Sequence, residues 1–495
     1  MELSYSSPVN ITTGSIMELS YSSPLNITIF TLVLVVFLYN FIHHLTSPRK
    51  TKLPPGSFGW PIIGESYEFL YGNSQKFIGD RMKKYSPKVF KTKLHGEPTV
   101  VLCGPAGHKF ITVNEEKLFR TWRPYSLQKL FRAPFLPDTK VVIPRETLVH
   151  VTKAPGFIKT DALIEYAGKM DSMIQQQFKL HWRGKPEVKA YELLHRMAAN
   201  LSSRFFLGLE ENDPRMEKFA MLSFGMTQGL NCIPINFPGT RFYRAKKVAE
   251  TMRKEVLQII KEKKAAMCSG VQTNDILSHM MLSGNSETGR FKTETEIATM
   301  SSAVVVSGFT TPSTGLSIIM KYIGERPEIY NKIREEQMEI SSSKKPGELL
   351  NWEDIQKMKY TWHTALEVMR LRPPFQGAFR EALSDFTYEG YTIPKGWKVY
   401  WTVTTTNNNP ECFPEPEKFS PTRFESLPPY TFVPFGGGIR MCPGKEYTRL
   451  VMLTFLHNVV KYFKWEVLAP NEDMIGTVLP VPKNGFPIHL HPLST

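Results

Sequence analysis

Charge is missing from the run between Leu19 and Pro48, which contains no Asp, Glu, Lys or Arg. Its centre, Ile27 to Ile42, is strongly apolar and with its flanks approaches the roughly 20 residues needed to cross a bilayer. Small residues are also missing where a signal peptidase would cut, because the stretch ends Phe41-Ile42-His43-His44. No Lys or Arg precedes the span, whereas Arg49, Lys50 and Lys52 follow it, which places the domain beyond it in the cytosol. Cysteine is scarce. Cys103, Cys232, Cys268, Cys412 and Cys442 are odd in number and widely spaced, with no C-x-x-C. That argues against a disulfide framework and a zinc site, and fits a reducing compartment. No G-x-G-x-x-G follows a strand, so the chain has no nicotinamide or flavin module of its own. The formal net charge is +15, yet no Arg/Lys run is interleaved with aromatics, so nucleic acid is not the expected partner. A basic face suits anionic lipid or an acidic protein instead. No linker-like stretch divides the chain after residue 62, which favours one large domain.

These features divide the 495 residues into a lumenal segment 1–24, a transmembrane anchor 25–46, a basic and proline-rich hinge 47–61, and a single domain 62–495. Residues 1–12 nearly repeat as 17–28. One extra copy is not a fold repeat; it fits a tandem duplication or an upstream start, with Met17 the functional initiator. Both copies end in Asn-Ile-Thr, a glycosylation acceptor pattern, although Asn26 lies at the edge of the span.

Patterning predicts a mainly α domain with small β-sheets. Helices dominate 158–222 and 242–268, separated by the apolar, proline-containing connector 233–239. Residues 294–323 read as one long helix, apolar on all sides and therefore buried. Asn351 caps a further helix. Strand-like content occurs at 88–94 and 98–103 around His95-Gly96, and again at 391–396 and 399–404.

The most informative string is Phe435-Gly-Gly-Gly438-Ile-Arg440-Met-Cys442-Pro-Gly444. A cysteine thiolate is a strong donor to haem iron. Gly438 and Gly444 admit a flat macrocycle close to the backbone. Pro443 suits the first position of a helix, which would set Cys442 at a helix N-terminus, where an anionic sulfur is favoured. Arg440 is placed to meet a haem propionate.

The string resembles the haem-binding loop of the cytochrome P-450 superfamily, the haem-thiolate monooxygenases. Glu367-Val-Met-Arg370 is similar to that family's E-x-x-R, and Pro421-Thr-Arg423-Phe424 to its P-x-R-F element. The resemblance runs from about Leu53-Pro-Pro-Gly56 to the end. It implies a mainly helical haem-thiolate domain in which Glu367, Arg370 and Arg423 form a buried charge network. It also implies a buried helix crossing the oxygen side, with the pattern small-Gly-x-Asp/Glu-Thr. The match is Ser307-Gly308-Phe309-Thr310-Thr311. Gly308 is expected to leave room for dioxygen and Thr311 to pass protons through water. Thr310 replaces the family's acid, and Pro312 cannot donate to the Gly308 carbonyl. A second departure is the lack of W-x-x-x-R near 145–154, where His150 and Lys153 are the candidate substitutes.

The family likeness implies haem b, with O2 and NADPH as co-substrates, and electrons from a membrane-bound NADPH-cytochrome reductase. It implies the endoplasmic reticulum membrane, single-pass, with the domain on the cytosolic side. Tyr85-Ser-Pro-Lys-Val-Phe-Lys-Thr92, 347–360 and 441–447 look like the plant branch that oxidises triterpenoids, next to the taxane hydroxylases. The expected reaction inserts one oxygen atom into a C–H bond of a rigid apolar terpenoid. Val304, Phe309, Phe375, Gln376 and Val478 are the expected pocket lining. Alternatives are a sterol or diterpenoid hydroxylase, a silent haem protein that binds terpenoid, and a reductase-independent hydroperoxide isomerase.

Overall fold

The computed structural model describes residues 28–29, 31–39, 52–131, 160–211, 213–230, 232, 234–271, 275–284, 293–476 and 479–493. Two units are distinguished, Met1–Lys52 and Leu53–Thr495. In the first, 28–29 and 31–39 are helical, with Leu32 through Tyr39 exposing their side chains. Asn10, Met17 and Asn26 lie outside the described residues.

The second unit is built on helix pairs. Glu294–Gly324 opens with a reciprocal cap, in which Thr293 accepts from the Glu296 N–H and Glu296 returns the bond. It then runs through Pro312 without interruption and packs most extensively on Ala190–Leu207. The contact is close because Gly308 has no side chain there. A Cβ on it would lie 2.2 Å from the Phe206 ring and 3.0 Å from Ser202 Oγ. Lys445–Tyr462, which follows the cysteine loop, is buried along most of its length. It also packs on Thr160–His181.

The expected helical region 158–222 resolves into Thr160–His181, Ala190–Leu207 and Arg215–Thr227. Gly184 and Gly208 adopt left-handed φ values of +76° and +65°, which stop the first two. The helices expected at 242–268 and 294–323 are found at Arg241–Cys268 and Glu294–Gly324. A five-stranded sheet has the spatial order Val89–Leu94, Glu97–Leu102, Lys398–Thr402, Gly377–Ala382, Phe119–Trp122. Its first two strands form the hairpin around His95-Gly96. The proline-rich stretch docks on this sheet, with the Lys91 N–H donating to the Pro55 carbonyl at 2.8 Å.

Candidate active site

The cysteine loop is held at both ends. The Cys442 N–H donates to the Phe435 carbonyl at 2.8 Å, closing the loop on itself. Gly436 and Gly438 sit at φ +72° and +63°, a region that side chains disfavour. A Cβ on Gly438 would approach Thr112 Cγ2 to 2.5 Å, so the loop lies tight on helix Gly104–Val113. The expected helix N-terminus needs correction. The helix starts at Lys445 with Gly444 as its cap, so Pro443 is not its first residue and Cys442 lies ahead of it. The loop closure keeps Cys442 out of the helix. Burial pushes the Cys442 thiol pKa up, opposed by a backbone hydrogen bond from Gly444. The sulfur therefore depends on a cationic ligand for its ionised form. Beside it, a Cβ on Gly444 would meet nothing but Cys442 Sγ at 3.9 Å, so that flank is clear.

Next to the loop is a cluster of arginines. Arg380, on strand Gly377–Ala382, donates from Nε to both carboxylate oxygens of Glu115, at 2.7 and 2.8 Å. Arg440 pairs with Glu116 and lies 3.8 Å from Glu115. Its Nε is buried with no hydrogen-bond acceptor among the described residues. Arg123, whose side chain reaches solvent, is held below the ordinary guanidinium range by the desolvating surroundings of its head group and by the charge of Arg380. Together with His108, Thr112, Trp401 and Gly436, Arg380 and Arg440 line a small cavity of about 20 Å³. Three guanidinium groups against two carboxylates, with one N–H unsatisfied, suit an incoming anion. Arg380 was not picked out in the sequence. A lone arginine on a short strand carries no signal there, and its partner lies 265 positions away.

The expected charge network is present in full. Glu367 and Arg370 are both 0% exposed. Arg370 donates to Glu367 from Nε at 2.7 Å and from a terminal nitrogen at 2.9 Å. Its other donors reach the Asn407 and Pro416 carbonyls at 2.6 and 2.8 Å. Arg423 Nε adds a third cationic bond to Glu367 at 3.1 Å, and the Ser420 N–H a fourth contact at 3.0 Å.

The long helix is less uniform than its composition suggests. Ala303, Val304, Ser307, Gly308 and Thr311 are not buried, and Ser307 is exposed. The side that Gly308 leaves without a side chain is turned to Phe206 and Ser202 on the neighbouring helix, so the missing Cβ serves that packing. Thr310 is corrected. It is 3% exposed and its hydroxyl donates back to the Val306 carbonyl, so it does not share the open face with Thr311. Phe309 is core, not pocket lining, at 0% exposure and edge-on to His195 with ring centroids 4.9 Å apart. Val304 and Phe375 are half-buried, as is Gln376, whose side-chain oxygen accepts from Ser74 Oγ. Val478, His150 and Lys153 lie outside the described residues.

The sequence from 54 to 486 matches the family model for cytochrome P450. The chain belongs to the cytochrome P450 family. It is similar to a beta-amyrin 28-monooxygenase of Vitis vinifera, 47% identical, covering 93% of this chain and 95% of the relative. A second beta-amyrin 28-monooxygenase, from Medicago truncatula, is 45% identical over 93% of this chain and 97% of its own. A beta-amyrin 6-beta-monooxygenase of Solanum lycopersicum is 42% identical, covering 94% and 98%. Among solved structures, a retinoic acid-bound cyanobacterial CYP120A1 matches with TM-score 0.77 and 28% identity, over 90% of this chain and all of that one.

P450 enzymes use a haem iron that, once bound, activates O2 with electrons drawn from NADPH through a reductase. The residues present fit that group. The sulfur has a clear flank, the adjoining glycines carry no side chains, and the buried Arg440 N–H lacks an acceptor. Cys442 would hold the iron, and Arg440 and Arg380 the carboxylates.

Proposed function

We propose that this P450 oxidises a pentacyclic triterpene of the beta-amyrin type, at position C-28. The observation that carries this reading is 47% identity to a beta-amyrin 28-monooxygenase across nearly the whole of both chains. Cys442 is the iron ligand. Glu367, Arg370 and Arg423 hold the chain beneath it. Thr311 serves the oxygen side, and Val304, Phe375 and Gln376 border the substrate.

The reading includes a membrane-bound enzyme at the endoplasmic reticulum, anchored by the apolar N-terminal span, with its domain on the cytosolic face. Exposed Trp60, Ile62, Ile63 and Tyr67, with Ile235 and Phe237, support contact of the domain itself with lipid. Electrons come from an NADPH-cytochrome reductase on the basic side near Cys442, where Lys357 and Lys445 extend into solvent.

Microsomes containing the chain and a plant reductase, given NADPH and beta-amyrin, test this. The expected product carries oxygen at C-28 and requires NADPH. Oxygen at C-6 instead would assign the regiochemistry of the tomato relative. Turnover of a hydroperoxide without NADPH would make the protein an isomerase. Spectral binding of terpenoid without turnover would make it a silent binding protein.

A further inference from the structure

We propose that Ser307 is a second hydroxyl of the oxygen site, and that Ser307 and Thr311 together hold the water through which solvent protons arrive. The inference rests on the monooxygenase reading and deepens it.

The long helix buries most of its surface, and Ser307 is the exposed exception in its central turns. Thr311 is four residues on, so the two hydroxyls share a face with roughly 5–6 Å between their Cβ atoms. The next residue of that row, Gly315, identifies what the face looks onto. A Cβ there would lie 2.5 Å from Met452, on the helix that follows Cys442, and 4.0 Å from Pro374, beside Phe375. Gly315 looks onto the cysteine helix and the substrate segment, and the row leading back through Thr311 to Ser307 turns by only about 40° per step, so it runs along the same flank of the helix. The flanking polar residue is directed elsewhere, since Thr310 is buried whereas Ser307 is exposed. An acid at 310 would be buried in this chain, with no cation bonded there. Ser307 takes up the polar role on the open side.

Its local bonding suits the task. The hydroxyl donates to the Ala303 carbonyl at 2.8 Å, which fixes its direction and leaves its lone pairs to accept from water. Pro312 has no N–H for the Gly308 carbonyl four residues earlier, which adds an acceptor one residue after Ser307. Two hydroxyls and a free carbonyl are enough partners to order a water molecule.

Proton supply decides between two balanced outcomes. With protons delivered to oxygen, R–H + O2 + NADPH + H⁺ gives R–OH + H2O + NADP⁺. When delivery fails, O2 + NADPH + H⁺ gives H2O2 + NADP⁺ and the substrate is untouched.

The test compares wild type, Ser307→Ala, Ser307→Thr, Thr311→Ala and the double alanine variant, each with reductase, NADPH and beta-amyrin. Peroxide released per NADPH should rise about 3- to 10-fold in Ser307→Ala and stay near wild type in Ser307→Thr, which keeps the hydroxyl. The double variant should exceed Thr311→Ala by less than the Ser307 effect alone, because one water serves both. The resting ferric spectrum of Ser307→Ala should also shift towards the water-free form. An unchanged ratio of product to NADPH in Ser307→Ala, or equal loss in Ser307→Thr, overturns the proposal. Absence of the reduced carbon monoxide band in wild type would overturn the haem-thiolate reading instead.

Discussion

Two clusters of arginine and glutamate are assembled from residues ahead of Cys442, and they are opposites. Around Glu367, each guanidinium nitrogen of Arg370 has an acceptor and neither residue is exposed at all. Around Glu115, Arg440 retains a buried N–H with no acceptor, and Arg123 and Arg380 repel each other. The first cluster is complete as the chain folds. The second carries an uncompensated positive charge at the wall of a cavity. A closed network maintains the fold, whereas an open one is prepared to receive an anion.

The strongest way to break this contrast is Arg370→Ala. It leaves Glu367 charged, buried and short of its main partner, a loss of about 3–5 kcal/mol. We expect little folded protein and no carbon monoxide band, measured on whole microsomes. If Arg370→Ala folds and loads haem normally, the distinction fails. A smaller effect is expected from Arg440→Leu. Glu115 keeps its two bonds from Arg380 when Arg440 is removed, so the loss falls on Glu116 alone and stability should fall by about 1–3 kcal/mol. Haem retained per chain should fall several-fold, read by pyridine haemochromogen absorbance after gel filtration. Equal losses in both variants would make the two clusters one kind of thing.

The third effect is graded with pH, and it is the acid response of the core. Burial holds His95 and His195 at about 4, against an ordinary value of 6.5. Above pH 6.5 both are neutral in the folded and unfolded chain. Between 6.5 and 4 the unfolded chain takes up protons that the folded one refuses, so stability declines as pH falls. Each group contributes about 1.4 kcal/mol per pH unit across that window. His95→Asn tolerates the left-handed φ of +54° at this position and should flatten the decline measured by thermal melts from pH 7 to 4.5.

The charge network was legible because its members are local. Glu367 and Arg370 are one helical turn apart, and Arg423 occurs in a short motif at a fixed distance ahead of the cysteine. The carbonyls of Asn407 and Pro416 that complete it were not, because a backbone oxygen has no sequence signature. Arg380 and Glu115 meet only because Gly377–Ala382 pairs with Phe119–Trp122 in the sheet. On the long helix the motif gave the right turn and the wrong faces. Gly308, Phe309 and Thr310 follow Ser307 in sequence, yet each successive position rotates by about 100°. A helix apolar all round offers no polar stripe to fix which side meets its neighbours.

By itself, the sequence determined the chemistry of the protein: a cysteine among glycines, its charge network, the threonine helix and the apolar N-terminal run. These are short-range patterns, and residue type with spacing is enough to define them. Only tertiary structure decided that Gly308 serves helix packing, that Ser307 faces outward, that Cys442 stands ahead of its helix, and that Arg380 joins Arg440. Each of those depends on which surfaces press together, and that is set by packing between segments far apart in the chain.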